Sequence, residues 1–185
     1  ISRKQKEEVL LKKINRTLFA SSMLRLLVFV LIILAVYFFW GKTQLLVLSI
    51  SVGIGLFLFL ITRHQKLEDQ RNYRQATIAV NQTELDALEG ILTGENGTKH
   101  ASGNHAYSQD IDLFGDGSIF QKINRTNTIY GEKLLASWLN ANDIHGIEER
   151  QAASRELAEK ADWREHYRAT ASLSSSEVEL DTRTV

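Results

Sequence analysis

The chain has 185 residues, with 22 basic and 22 acidic side chains, so it carries no overall basic field of the kind that draws proteins nonspecifically onto nucleic acid. It has no cysteine, which excludes disulfides, thiolate zinc sites and a cysteine nucleophile, and no proline, for which we have no physical account. Its length allows one modest domain beside any segment spent on lipid.

Residues 1–17 place Val9, Leu10, Ile14 and Leu18 among Lys4, Lys6, Lys12, Lys13 and Arg16 at a spacing near 3.6, which predicts a basic amphipathic helix. Leu26 to Trp40 is then an unbroken apolar run of fifteen residues, or 23 counted from Leu18. At 1.5 Å per residue the longer count reaches about 34 Å, enough for a hydrocarbon core of about 30 Å. Arg25 lies near the start of this run, where a long side chain can snorkel to headgroups. Gly41 to Gln44 make a short turn, and Leu45 to Ile61 is a second apolar run of seventeen residues. Residues 18–62 therefore read as a two-helix transmembrane hairpin.

Basic residues crowd both flanks, Arg3, Lys4, Lys6, Lys12, Lys13 and Arg16 on one side and Arg63, Lys66, Arg71 and Arg74 on the other, against Lys42 alone in the turn. By the positive-inside rule both termini are cytoplasmic, in a two-pass protein of the cytoplasmic membrane with lipid as a partner. A signal peptide is disfavoured because no small-residue cleavage site precedes the second run. Ser49, Gly53, Ser51 and Gly55 set small residues four apart, which suits close packing of the two spans.

Residues 63–92 are charged with an apolar stripe, and predict a juxtamembrane helix stopped at Gly90. Residues 93–108, rich in Gly, Asn, Ser and His, read as a linker. Beyond it, Ser118 is an expected N-cap for a helix through Ile119, Phe120 and Ile123. Gly131 opens a second helix with Leu134, Trp138 and Leu139 on one side, and Asp143 caps a third that runs toward Tyr167. Residues 172–185 are weakly patterned. No stretch alternates as a strand does, so the fold class is all-α.

Several motifs imitate chemistry and fail on spacing. Gly41, Lys42 and Thr43 resemble the end of a phosphate-binding loop, but the earlier glycine position holds Val36. Asp110, Asp112 and Asp116 suggest a calcium loop, yet its last position is Gln121. His100 and His105 lack obvious further metal ligands. Asn15, Asn81, Asn96 and Asn124 each open an Asn-x-Ser/Thr triplet, relevant only to a chain facing the exterior. No catalytic, cofactor or metal residue is expected in this chain.

The most specific stretch is Asp110-Ile-Asp-Leu-Phe-Gly115, followed by Gly117-Ser-Ile-Phe-Gln121, Asn124-Arg125-Thr126-Asn-Thr128, Gly131, Trp138-Leu139 and Glu149-Arg150-Gln-Ala-Ala153. With the hairpin and the Ile78 to Leu85 segment ahead of it, this pattern resembles the start of the helical core, or lever, domain of a membrane-anchored branch of the MutS-related ATPases. The family's Pro in the His-Pro-Tyr lead-in is here Ala106.

The resemblance implies that residues 109–185 begin that core in an N-terminal fragment of a longer protein. The whole protein would be a homodimer that binds ATP and Mg in a later domain and engages DNA, in work related to mismatch repair. It assigns Asn124, Arg125, Thr126, Thr128, Gly131, Trp138, Leu139 and Arg150 to the structure of that core: the loop residues fix a helix junction, and Trp138 fills the interior. The alternatives are a membrane-anchored helical interaction module with no nucleotide or DNA dependence, or a sensor, for which a four-residue turn leaves little to bind a ligand.

Overall fold

The computed structural model describes residues 2–101, 110–141 and 145–183. Among them every regular element is helical: α1 (Ser2–Phe38), α2 (Thr43–Leu88), α3 (Ile119–Ile123), α4 (Ile129–Asn140), α5 (Ile147–Ala158) and α6 (Ala161–Arg183), with a 3-10 turn at Thr98–His100. The chain divides into two compact units, residues 1–75 and 76–185, and α2 contributes to both.

In the first unit α1 and α2 form an antiparallel hairpin. The basic segment at the N terminus is continuous with the apolar run in one helix of 37 residues, since nothing between Ser2 and Phe38 is a helix breaker. Gly41, at φ +96°, makes the turn, and the Lys42 amide closes it on the Phe39 carbonyl at 2.9 Å.

The inner face of α1 follows alternate steps of three and four: Leu18, Ser21 and Val28 are buried, and Leu11, Ile14, Arg25, Ile32, Ala35 and, just past the helix, Phe39 are partly buried. Ile50, Gly53, Phe57, Leu60, His64, Leu67, Arg71 and Arg74 keep the same steps on α2, Leu60 buried and the others partly buried. A strict 3.5-residue period keeps one seam facing the partner helix along its whole length, as in a coiled coil. Gly53 has the closest approach: a Cβ there would lie 2.6 Å from Cγ1 of Ile32, whereas one at Gly55 would meet open space. Of the two glycines in the small-residue pattern, Gly53 alone therefore serves the packing of the pair. At the far end of the seam Arg74 donates to Glu7 at 2.6 Å.

Both helices are long and apolar enough to cross a membrane. Their outer faces stay uncovered, with Leu26, Phe29, Ile33, Val47, Val52 and Phe59 each about half or more exposed.

In the second unit α2 ends in a glycine stop. Gly90, at φ +80°, lets the Ile91 amide reach back to the Asp86 carbonyl at 2.8 Å. The segment read as a featureless linker is partly built into a small core. Phe120 is wholly buried, Leu113 and Ser118 nearly so, and the Phe120 ring lies against Phe114 and His100. Gly97, at φ +73°, is covered by the same ring, 2.5 Å from where a Cβ would sit. Residues 102–109, with His105 and the lead-in motif, lie outside the described residues, as does Asp143.

The helix expected from Asp143 starts at Ile147 behind Gly146, which lies in the left-handed region and has no side chain to cap it. It does not run to Tyr167. α5 ends at Ala158, and α6 continues from Ala161 through the stretch expected to be weakly patterned.

Candidate functional site

Of the residues singled out by pattern, Asn124, Arg125, Thr126 and Thr128 form the loop between α3 and α4 with Gly131 beside it, while Trp138 and Leu139 lie further along α4 and Arg150 on α5. Ser118 caps α3 by accepting from the Gln121 amide at 3.2 Å, as its position predicts. After Ile123 the helix stops because the Asn124 side chain offers the backbone a competing partner. Its Oδ1 accepts from the Thr126 amide at 3.0 Å and from Thr126 Oγ1 at 2.7 Å, an Asx turn. Thr128 then caps α4, accepting from the Gly131 amide at 3.1 Å. The helix opens at Ile129, two residues before the expected Gly131. The role of that glycine is closeness, since a Cβ would meet Thr128 Oγ1 at 3.0 Å and Thr126 Cβ at 3.4 Å.

Arg125 ties the loop to the end of α2. Its Nε donates to Glu84 Oε1 at 2.9 Å, and its Nη1 donates to the carbonyls of Lys122 and Asn124. The same Glu84 oxygen accepts from Arg168 of α6, whose Nε donates to Asn127 Oδ1 at 3.3 Å. One turn earlier on α2, both amide hydrogens of Asn81 are used, on the Thr77 carbonyl at 3.0 Å and on Glu165 of α6 at 2.9 Å. Bonds at 81 to 165 and 84 to 168 lay α6 parallel to the last turns of α2, with Val80 buried on one and Ala169 on the other. One carboxylate thus joins α2, the loop and α6, and two guanidinium partners offset the cost of partly burying it.

A second charged cluster lies at the first turn of α4. Glu132 Oε1 accepts from Lys99 Nζ and His100 Nε2, each at 2.9 Å. Burial pushes the Glu132 carboxyl up, but hydrogen bonds from Lys99 and His100, and their charges, outweigh it and hold the group below the ordinary carboxylate range. The hydrogen bond to Glu132 correspondingly raises Lys99. Asn140, at the end of α4, donates to the His100 carbonyl at 3.0 Å.

Trp138 corrects an expectation. It is 48 % exposed rather than in the interior, and the Arg150 guanidinium lies 5.4 Å from its ring centroid, a cation–π contact between α4 and α5. The wholly apolar side chain that the core takes is Phe120, with Ala136 from α4; Leu139 is half-buried. Among the basic residues that flank the apolar runs, Arg16, Arg63 and Lys66 are exposed. Arg25 is not free at the rim, because it occupies the seam, half-buried, and donates to Ser22 Oγ at 3.3 Å.

Arg168 and Gly97 escaped the sequence reading, whereas Glu84, inside the Ile78 to Leu85 segment, and Asn96, in an Asn-x-Thr triplet, were noted without their structural roles. An Asn-Gly pair is a turn signal, and here it is a structural corner. Asn96 Oδ1 accepts from the amide and hydroxyl of Thr98, and its Nδ2 donates to Asp116 at 2.8 Å. Arg168 carries no local signal, being an ordinary charge on a helix until the fold brings it to Glu84. No group of three or more His, Cys, Asp or Glu side chains that could hold a metal occurs among the described residues. No protein-family model, curated protein or solved structure matches this chain.

Proposed function

We propose that the chain is a membrane anchor joined to the first helical junction of a MutS-like, ATP-dependent DNA-binding protein. In this reading α1 and α2 cross the cytoplasmic membrane as a two-pass hairpin with both termini in the cytoplasm. Support for the anchor comes from their uncovered outer faces, since water does not tolerate so large a continuous apolar surface and lipid requires it.

The observation that carries the finer reading is the loop from Asn124 to Thr128. Its family-like residues are spent on fixing the angle between helices, through the Asx turn, the Thr128 cap and the Arg125 bond to Glu84. A lever domain needs such a rigid junction to pass motion between an ATP-driven dimer and DNA. ATP and Mg belong to a later domain in this proposal, and this chain supplies no catalytic group. The exposed aromatic surface of Trp138, Trp163 and Tyr167 favours the second reading, a membrane-anchored helical interaction module without nucleotide or DNA dependence.

The two readings separate in the coding sequence beyond Val185. A Gly-x-x-x-x-Gly-Lys-Ser/Thr loop between a strand and a helix is expected for the ATPase, and an open frame without one discards it. Topology is tested in inside-out vesicles, where the Lys42 turn should resist protease while both flanks are cut. Cleavage at the turn would refute the proposed orientation.

A further inference from the structure

Where the apolar runs of the hairpin end, the seam between α1 and α2 opens into a cavity of about 130 Å³. Leu24 and Leu60 line it at the end nearer the apolar runs, and Leu67, Thr17, Ser21 and Arg63 line it further out. Ser21 is 7 % exposed, and its Oγ is buried without a hydrogen-bond partner. The Thr17 hydroxyl is already spent on the Lys13 carbonyl at 3.1 Å, so Ser21 and the exposed Arg63 are the donors left for a guest.

A buried hydroxyl without a partner calls for an acceptor in the cavity. The volume would hold a few waters at about 30 Å³ each. Water alone, however, would satisfy the hydroxyl and the guanidinium only by wetting Leu24 and Leu60. An amphiphile with an anionic head answers both halves of the lining, because phosphate accepts from hydroxyl and guanidinium together while its hydrocarbon lies on the leucines.

We infer that this cavity binds the phosphate of an anionic phospholipid, held by Ser21 and Arg63, with the start of its acyl chains against Leu24 and Leu60. The inference rests on the membrane-anchor reading and makes it specific: one lipid bound in place, beyond general attraction to the basic flanks.

The test reconstitutes the whole chain into bilayers of phosphatidylcholine, with or without phosphatidylglycerol, extracts it in mild detergent and counts retained lipid by native mass spectrometry. One phosphatidylglycerol per chain is expected. Occupancy should fall about tenfold in Arg63→Gln and in Ser21→Ala, the scale of one lost charge-assisted hydrogen bond. Lys66→Gln removes the same charge from a residue that does not line the cavity, and should leave occupancy unchanged. Equal losses in Arg63→Gln and Lys66→Gln would mean diffuse attraction and overturn the site. Displacement of the lipid by millimolar inorganic phosphate would overturn the lipid assignment. A chain that enters phosphatidylcholine bilayers yet retains no phosphatidylglycerol refutes the inference and leaves the anchor standing, whereas a chain that enters no bilayer refutes both.

Discussion

The hairpin and the junction hold themselves together in opposite ways. In the hairpin two long helices meet along one periodic seam, most of it apolar, and any single side chain contributes a small share of a repeated contact. In the junction five-residue and twelve-residue helices are too short to be stable alone, and a few buried or hydrogen-bonded groups fix all of their angles. Damage should therefore be graded and local in the first and abrupt in the second.

Phe120→Ala is the strongest way to break that contrast. It empties the centre of the junction and should cost about 3–5 kcal/mol, read as loss of protease resistance beyond residue 90 while the hairpin stays intact. Gly97→Ala comes next. The added methyl drives into the Phe120 ring and imposes a left-handed backbone on a non-glycine residue, for roughly 2–4 kcal/mol by the same assay.

On the hairpin side, Gly53→Leu pushes Ile32 away and should separate the spans over a turn or two. The expected readout is weaker resistance of the pair to detergent, with the helical content unchanged. Glu84→Gln should cost about 1 kcal/mol, a modest figure because the carboxylate is 45 % exposed. A double-mutant cycle with Arg168→Gln should return most of that as coupling; full additivity would mean the bridge contributes nothing.

The smallest effect is a pH dependence. A carboxylate held below its usual range stabilises the fold fully above the ordinary value of 4.5 and loses that contribution as pH falls through its lowered value. Lys99→Gln removes one of its partners, so the acid-unfolding midpoint should move to higher pH. A midpoint that does not move would show the cluster to be inert.

The same contrast explains what could be read without coordinates. Apolar runs with a short turn announce a hairpin because the signal lies in hydrophobicity itself, and Gly90 and Ser118 announce a stop and a cap because those roles are local. The Asn124 and Thr128 bonds are just as local, spanning two or three residues, yet the start of α4 was placed at Gly131 because a threonine cap leaves a fainter mark than a glycine. Glu84 with Arg168 joins residues 84 apart, and nothing in either neighbourhood points to the other. Trp138 misled for a related reason. Its place on the apolar side of α4 was clear, but whether anything packs over a given residue of that side depends on distant segments, and over Trp138 it is the Arg150 guanidinium that lies against the ring. The single helix from Ser2 to Phe38 was split in two by composition, because a change of solvent preference along a helix leaves its backbone untouched.

Asn81 carries one last consequence. It opens an Asn-x-Thr triplet, and a sugar attached there would replace one of its two amide hydrogens. Both are engaged, one on its own helix and one on α6. Folding and glycosylation thus compete for the same atom, and a chain routed through a glycosylating lumen before it folds would carry the mark of that route as a defect between α2 and α6.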